Sequence, residues 1–184
     1  MNDQTPIRMT VDEYLPWAEA QGGRWELVDG RPIRMAAQTL FHIRVKAYVW
    51  RALDDLIEDC GLELHALADG VTVRIDANNA NEPDCIVHAG PERPGEDLEV
   101  PDPIIVVEVI SPTSSSRDEG RKRRDYFSLP SVEHYLIVDP QNRSVLHYDR
   151  SNWQGRGRRL KEPDTADLTP PGLALPVHRC FSRS

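Results

Sequence analysis

The chain of 184 residues is about the size of one domain and long enough to bury a core, and its 39% hydrophobic and 28% charged content is that of a folded protein and does not favour disorder. No apolar run is long enough to span a bilayer and the first residues carry no apolar signal segment, so a cytoplasmic protein without a membrane partner is expected. The net charge of -8 argues against a general nucleic-acid coating protein, and three widely spaced cysteines, Cys60, Cys85 and Cys180, argue against a disulfide framework.

Thr10-Val11-Asp12-Glu13 has the Thr-x-x-Glu form of a capping box and predicts a short helix over 11–20, ended by Gly22-Gly23. "RWELVDGRPIRM" reads as two strands joined at Asp29-Gly30, a favoured hairpin turn. Residues 38–60 carry the long helix, with Leu40, Ile43, Ala47, Trp50, Leu53, Ile57 and Cys60 as its apolar stripe and Gly61 as its stop. "LELHAL", "GVTVRI" and "PDCIVH" are strand candidates, with "DANNANE" a loop before the third. In "PIIVVEVI" bulky residues of both parities predict a strand over 104–110 buried on both faces. Ser116 to Glu119 offers a second capping box, for a helix reaching about Leu129, and "HYLIVD" and "SVLHYD" pair across the turn "PQNR". From Ser151 the chain is Arg- and Gly-rich and then Pro-rich. It reads as loop or irregular edge with a last strand near Leu173 to Val177. Strands interleaved with two or three helices indicate a single α/β (α+β) domain around one mixed sheet. No glycine-rich phosphate loop follows a strand, so nucleotide-cofactor chemistry has no support.

Charge is unevenly placed. Residues 76–108 hold nine acids and one base, whereas residues 117–161 hold eleven bases and six acids. An acidic centre beside a basic flank suits a metal site that receives a phosphate chain; two solvated faces of opposite sign account for it equally well. Glu108 sharpens the question, because an unpaired carboxylate in a buried strand costs several kcal/mol. It must lie at an exposed strand end, meet a cation, or be protonated. If strands 83–88 and 104–110 are neighbours, Asp84 and Glu108 project into one pocket. Two carboxylates about 4 Å apart repel by roughly 4 kcal/mol at an effective dielectric near 20, which calls for a shared proton or a divalent cation. Hard oxygen ligands favour Mg2+ or Mn2+, which serve phosphodiester hydrolysis. Glu26 in the hairpin and Lys122 on the following helix complete the set. Asp118, Lys122 and Tyr126 are four apart on one helix face, so Lys122 can turn to the carboxylates with Asp118 and Tyr126 holding it.

"PD" at 83 and 84, "VVEVISPTSSSRDEGRKRRDYF", "SVEHYLIVDP", "MTVDEYL" and "WELVDG" together closely resemble the large bacterial family of restriction-endonuclease-like proteins called the Uma-two family, of the PD-(D/E)xK nuclease superfamily. The resemblance runs from about Met9 to Tyr148 and is most specific from Glu108 to Tyr126. It implies a restriction-endonuclease-like mixed central sheet flanked by helices, a homodimer, and endonuclease activity on nucleic acid, foremost DNA. It further implies metal ligation by Asp84, Glu108 and the backbone carbonyl of Val109, an accessory acid at Glu26 and a catalytic lysine at Lys122. One departure stands out: the short superfamily motif expects lysine two residues after the glutamate, where this chain has Ile110, so the lysine has moved to the helix. Tyr135-Leu136 stands where many relatives carry Tyr-Trp, a matter of packing.

Each residue also has an ordinary structural reading. Glu108 alone suits an edge-strand acid paired with an arginine, and Glu26 a solvated hairpin residue. Lys122 in "GRKRRD" suits a solvated helix face. Arg121, Arg123 and Arg124 suit either a phosphate backbone or Asp118, Glu119 and Asp125 within the helix. His42 on the long helix is a further candidate to face the pocket. His178-x-Cys180 is too isolated for zinc, and Ser111, Thr113 and the serines 114–116 lack a base that would make them nucleophiles. Arg156, Arg158, Arg159 and Lys161 are a candidate substrate arm. The competing functional class is a binding or scaffold protein that keeps the nuclease fold without catalysis; the acidic net charge and the lack of a separate DNA-reading element favour it.

Overall fold

The computed structural model describes residues 8–110 and 116–182. Helix α1 (Val11–Gln21) starts at Thr10, whose hydroxyl accepts from the Glu13 N–H while the Glu13 carboxylate accepts from the Thr10 N–H, the reciprocal box read from the sequence. β1 (Trp25–Val28) and β2 (Arg31–Arg34) form the hairpin, with Asp29 and Gly30 both at positive φ. α2 (Leu40–Cys60) is capped by Thr39 and ends at a left-handed Gly61. There follow β3 (Leu64–Ala68), β4 (Val73–Arg74), β5 (Ala80–Asn81), β6 (Cys85–Ala89), β7 (Pro103–Val109), α3 (Ser116–Ser128), β8 (His134–Asp139) and β9 (Ser144–Asp149). β10 (Arg158–Lys161), β11 (Thr165–Leu168), β12 (Leu173–Pro176) and a 3-10 turn at Val177–Cys180 complete the chain.

Six strands build the main sheet in the order β10-β9-β8-β7-β6-β3. β7 and β8 run parallel with α3 as their crossover, and the other neighbours are antiparallel, so the sheet is mixed. A second sheet, β2-β1-β5-β4, and the hairpin β11-β12 stand beside it. The result is a mixed α+β fold with a central mixed sheet and three helices. One face of the main sheet, through Val87, Ile105, Val107 and Leu136, packs on Val45, Val49, Leu53 and Ile57 of α2 and on the β11-β12 leucines. The other face, through Ile86, Val106 and Ile137, packs on Tyr126 and Phe127 of α3. The small sheet has its own core, in which α1 lays Val11 and Tyr14 against Leu27 and Ala80. β7 is thus covered on both sides, as its apolar residues of both parities require.

Three expectations are corrected. The buried stripe of α2 is Val45, Val49, Ala52, Leu53 and Ile57, whereas Leu40, Ile43, Ala47 and Cys60 are exposed; two stripes at helical spacing compete on this helix, and the sheet's β-branched surface receives the one rich in valine. "DANNANE" is not all loop: Ala80 and Asn81 pair with Leu27 of β1 and with β4. The segment after Ser151 holds three strands, of which β10 extends the main sheet along β9. Predicted roles for Ser111, Thr113, Ser114 and Ser115, and the capping side chain of Ser116, lie outside the described residues. Among the described residues no helix is long and apolar enough to cross a membrane, and the three cysteines are unpaired.

Candidate active site

The carboxyl end of β7, the start of β6, β1 of the small sheet and the inner faces of α2 and α3 meet at one point. The register pairs Cys85 with Val107, so Asp84, just before β6, comes beside Glu108. The Asp84 N–H also donates to the Val107 carbonyl at 3.1 Å. Alternation along β7 turns Val107 and Val109 to the α2 side and Val106 and Glu108 to the α3 side. Glu26, Asp84, Glu108 and Lys122 are 8%, 3%, 8% and 6% exposed, which makes this cluster of charge a buried one.

Lys122 stands between two acids, 2.9 Å from Glu108 Oε1 and 2.7 Å from Glu26 Oε1. Its contact with Glu108 is a hydrogen bond; Glu26 Oε1 is close but off hydrogen-bond alignment, a buried acceptor without a donor. Tyr126, a turn further along α3, donates its hydroxyl to the same Glu108 Oε1 at 2.7 Å. Tyr126 therefore holds the glutamate rather than the lysine, and Asp118 pairs with Arg121 at 3.0 Å. The spacing of these residues on the helix was read from the sequence, but the partner each one meets depends on the strand it packs against.

Asp84 has a different set of partners. Lys46 Nζ lies 2.8 Å from Oδ1 and Arg24 3.7 Å from the same oxygen. The Val109 N–H donates to Oδ2 at 2.7 Å and His42 Nε2 is 3.8 Å from it. Val109 thus reaches the site through its amide hydrogen. Lys46 also bridges to Asp69 at 2.5 Å and donates to Gln38 at 3.1 Å. Arg24 lies against Asp69 and Glu82. The arginines of α3 diverge: Arg121 faces the cluster, 3.5 Å from Glu26 and bonded to Asn81 and Asp125, Arg123 stacks over Tyr148, and Arg124 is exposed. The basic residues Arg156, Arg158, Arg159 and Lys161 sit on or next to edge strand β10.

The two carboxylates differ in acidity for physical reasons. Burial pushes the Glu108 carboxyl up to about 7; Lys122 opposes this, and the nearby Asp84 and Glu26 charges add to it. Burial would also raise Asp84, but the nearby His42 ring, the Lys46 ammonium and the Val109 amide outweigh it and hold it down at about 2. Burial alone would lower the Lys122 ammonium, yet Glu108 and Glu26 carry it well above its ordinary value. Burial and the Glu108 charge raise the Tyr126 hydroxyl, which stays a donor.

Lys46, Arg24 and Asn81 are site residues that the sequence reading passed over. The signal for Lys46 was present: it sits between Val45 and Val49 in the stripe that α2 buries, and a lysine in such a stripe needs an anion. Lys46 falls three residues after Ile43, four before Trp50 and seven before Leu53, so it lay within the apolar stripe read from the sequence and was passed over as a lone interruption of it. Asn81 lay in a segment read as loop.

As a donor set, Asp84 and Glu108 offer hard oxygens, and the described residues contain no group of three or more His, Cys, Asp or Glu side chains placed to hold a metal ion. That chemistry fits Mg2+ or Mn2+, which bind through one or two carboxylates and keep several waters, and does not fit a caged zinc.

Comparison with known proteins agrees with this architecture. Two proteins of Synechocystis sp. (strain ATCC 27184 / PCC 6803 / Kazusa), both called uncharacterized, are each 26% identical to this chain. One, slr1290, aligns over 149 residues, 79% of this chain and 76% of its own length. The other, sll1609, aligns over 146 residues, 77% and 81%. The crystal structure described as that of "a putative nuclease belonging to DUF820" from Anabaena variabilis ATCC 29413 shares the fold, with a TM-score of 0.73 at 16% identity over 94% of this chain and 97% of that one. A family model described as "Uma2: Putative restriction endonuclease" matches residues 11–178, past Tyr148 and through the last strands. The chain belongs to the Uma2 family.

Proposed function

We propose that the protein is a Mg2+- or Mn2+-dependent nuclease that hydrolyses phosphodiester bonds, with DNA as its substrate. The observation that supports this best is the buried meeting of Glu108 and Glu26 with Lys122, from β7, β1 and α3, with the buried Asp84 brought beside Glu108 by the β6–β7 register. A fold that needed only stability would gain little from it, because buried ion pairs seldom repay their desolvation.

Asp84 and Glu108 would hold the metal, which supplies Lewis-acid stabilisation of charge on the phosphate and a more acidic water. Tyr126 fixes the rotamer of Glu108 by its hydrogen bond, and Lys122 presents a cation beside the same oxygen. Lys122 thereby orients the attacking water and balances negative charge as it grows on the phosphate. Glu26 keeps Lys122 aimed along the strand end, and Arg121 ties Glu26 and Asn81 of the small sheet to Asp125 of α3.

The test is a cleavage screen with single- and double-stranded DNA and RNA in Mg2+ and in Mn2+, with Glu108→Gln and Lys122→Met as controls. The expected result is metal-dependent cleavage of DNA that falls by about 10²-fold or more in either variant, the scale of a positioned catalytic group. Cleavage unchanged in Glu108→Gln would remove the assignment. Saturable Mn2+ binding with no cleavage of any of the four substrates would favour the non-catalytic, nucleic-acid-binding reading.

A further inference from the structure

The site carries a second buried lysine, from a different helix and on a different carboxylate. Lys122 lies between Glu108 and Glu26, and Lys46 lies between Asp84 and Asp69. Lys46 is 4% exposed and belongs to the buried side of α2, with Val45 and Val49 as neighbours. Asp84 is fully occupied: Oδ1 faces Lys46 and Arg24, and Oδ2 takes the Val109 amide and faces His42. The described contacts of Glu108 fall on Oε1 alone. Among the described residues no cation contacts Glu108 Oε2, whereas at Asp84 a divalent cation meets an ammonium already in contact with the oxygen it needs.

Resting on the metal-dependent reading above, we propose that Lys46 is a positioning residue, the resident counter-cation of Asp84, which gives up Oδ1 when a divalent cation binds and turns to a phosphate oxygen of the substrate. Two features of the geometry allow the exchange. Asp69, the other anion of Lys46, has a side chain 36% exposed, so it lies toward solvent and keeps hold of the ammonium while Asp84 is released. Gln38, which accepts from Lys46, precedes α2 and steadies the same ammonium from outside the cluster. An anionic phosphate placed against Lys46 replaces the charge that Asp84 withdraws, so metal and substrate load cooperatively. In the free protein the same contact keeps Asp84 ionised and in place without metal, at the cost of weakened metal binding.

The experiment is calorimetric titration of Mn2+ into wild type, Lys46→Gln and Lys46→Arg, each alone and with a duplex carrying uncleavable phosphorothioate linkages. In the absence of duplex, Lys46→Gln is expected to bind Mn2+ about tenfold more tightly than wild type, and Lys46→Arg to stay close to wild type. The duplex is expected to tighten Mn2+ binding in wild type and to do so at least threefold less in Lys46→Gln. A purely structural role would loosen the site and weaken Mn2+ binding in Lys46→Gln, and that result overturns the proposal. Equal affinity in wild type and Lys46→Gln also overturns it while leaving the metal site standing. No Mn2+ binding by any of the three proteins, with or without duplex, overturns the metal-dependent reading and this one with it. A circular dichroism melt of each variant, with Lys46→Arg as the charge-preserving control, separates a folding defect from a change at the site.

Discussion

Glu108 is under electrostatic tension, because it is buried with Asp84 and Glu26 near it and the Lys122 ammonium to balance it. Its folded-state pKa of about 7 lies above the ordinary glutamate value of 4.5. The stability linked to this group is therefore fully present below pH 4.5 and is lost as pH rises through 7. Glu108→Gln, which mimics the protonated acid, should gain on wild type by about 3 kcal/mol between pH 4.5 and pH 8, measured by urea unfolding at both. A constant difference across that range would mean that Glu108 does not titrate there. Tyr126→Phe removes the hydroxyl that donates to the same oxygen. It should cost about 1.5–3 kcal/mol at pH 8, where the acceptor is charged, and less at pH 5, since hydrogen bonds to ionised groups are the stronger ones. Thermal melts at the two pH values check this.

At the scale of elements, α2 is the one whose orientation sets the site, because a single helix face carries His42 and Lys46 toward Asp84 and Val49, Leu53 and Ile57 into the core. Its first turn is held by the Thr39 hydroxyl, which accepts from the His42 N–H at 3.2 Å. Thr39→Ala should cost about 1 kcal/mol of global stability. Hydrogen exchange should show the excess opening confined to the first turn, next to His42. Protection unchanged through residues 40–43 would count against that. The capping pattern of α1 and the hairpin turn at Asp29-Gly30 were legible because each is set by residues within four positions of one another. β4 lies within the strand candidate "GVTVRI" and was legible too, whereas the two-residue β5 was not, since it exists through pairing with β4 and β1 rather than through any pattern of its own.

Taken as a whole, the two larger sheets have separate cores and meet at the charged cluster: Arg121 joins Glu26 and Asn81 of the small sheet to Asp125 of α3, and Arg24 next to β1 reaches Glu82 and Asp69. If the junction is the metal site proposed above, the main core sets stability and the junction sets metal binding, so the two should separate in mutants. Leu136→Ala, at a fully buried position in the central strand β8, should lower stability by about 2–5 kcal/mol in urea unfolding and leave Mn2+ affinity unchanged in the folded protein. Loss of Mn2+ affinity in a still-folded Leu136→Ala would show that core and junction are mechanically coupled.

The sequence by itself determined the elements whose signals are local: the capped helix α1, the first hairpin, the doubly buried β7 and the pairing of β8 with β9. It also determined that a carboxylate lies in β7 and that an acid opens β6, since residue identity and strand parity need no tertiary information. Tertiary structure alone decided which of two overlapping stripes α2 buries, so that Leu40 and Ile43 face outward, and decided that the buried Lys46 meets Asp84. It decided too that Tyr126 serves Glu108 rather than Lys122, and that an Arg-rich tail forms the edge strand β10. The physical reason is common to these cases. Helical spacing specifies which side chains share a face, but only the packing partner specifies which face is turned inward and what charge it meets there.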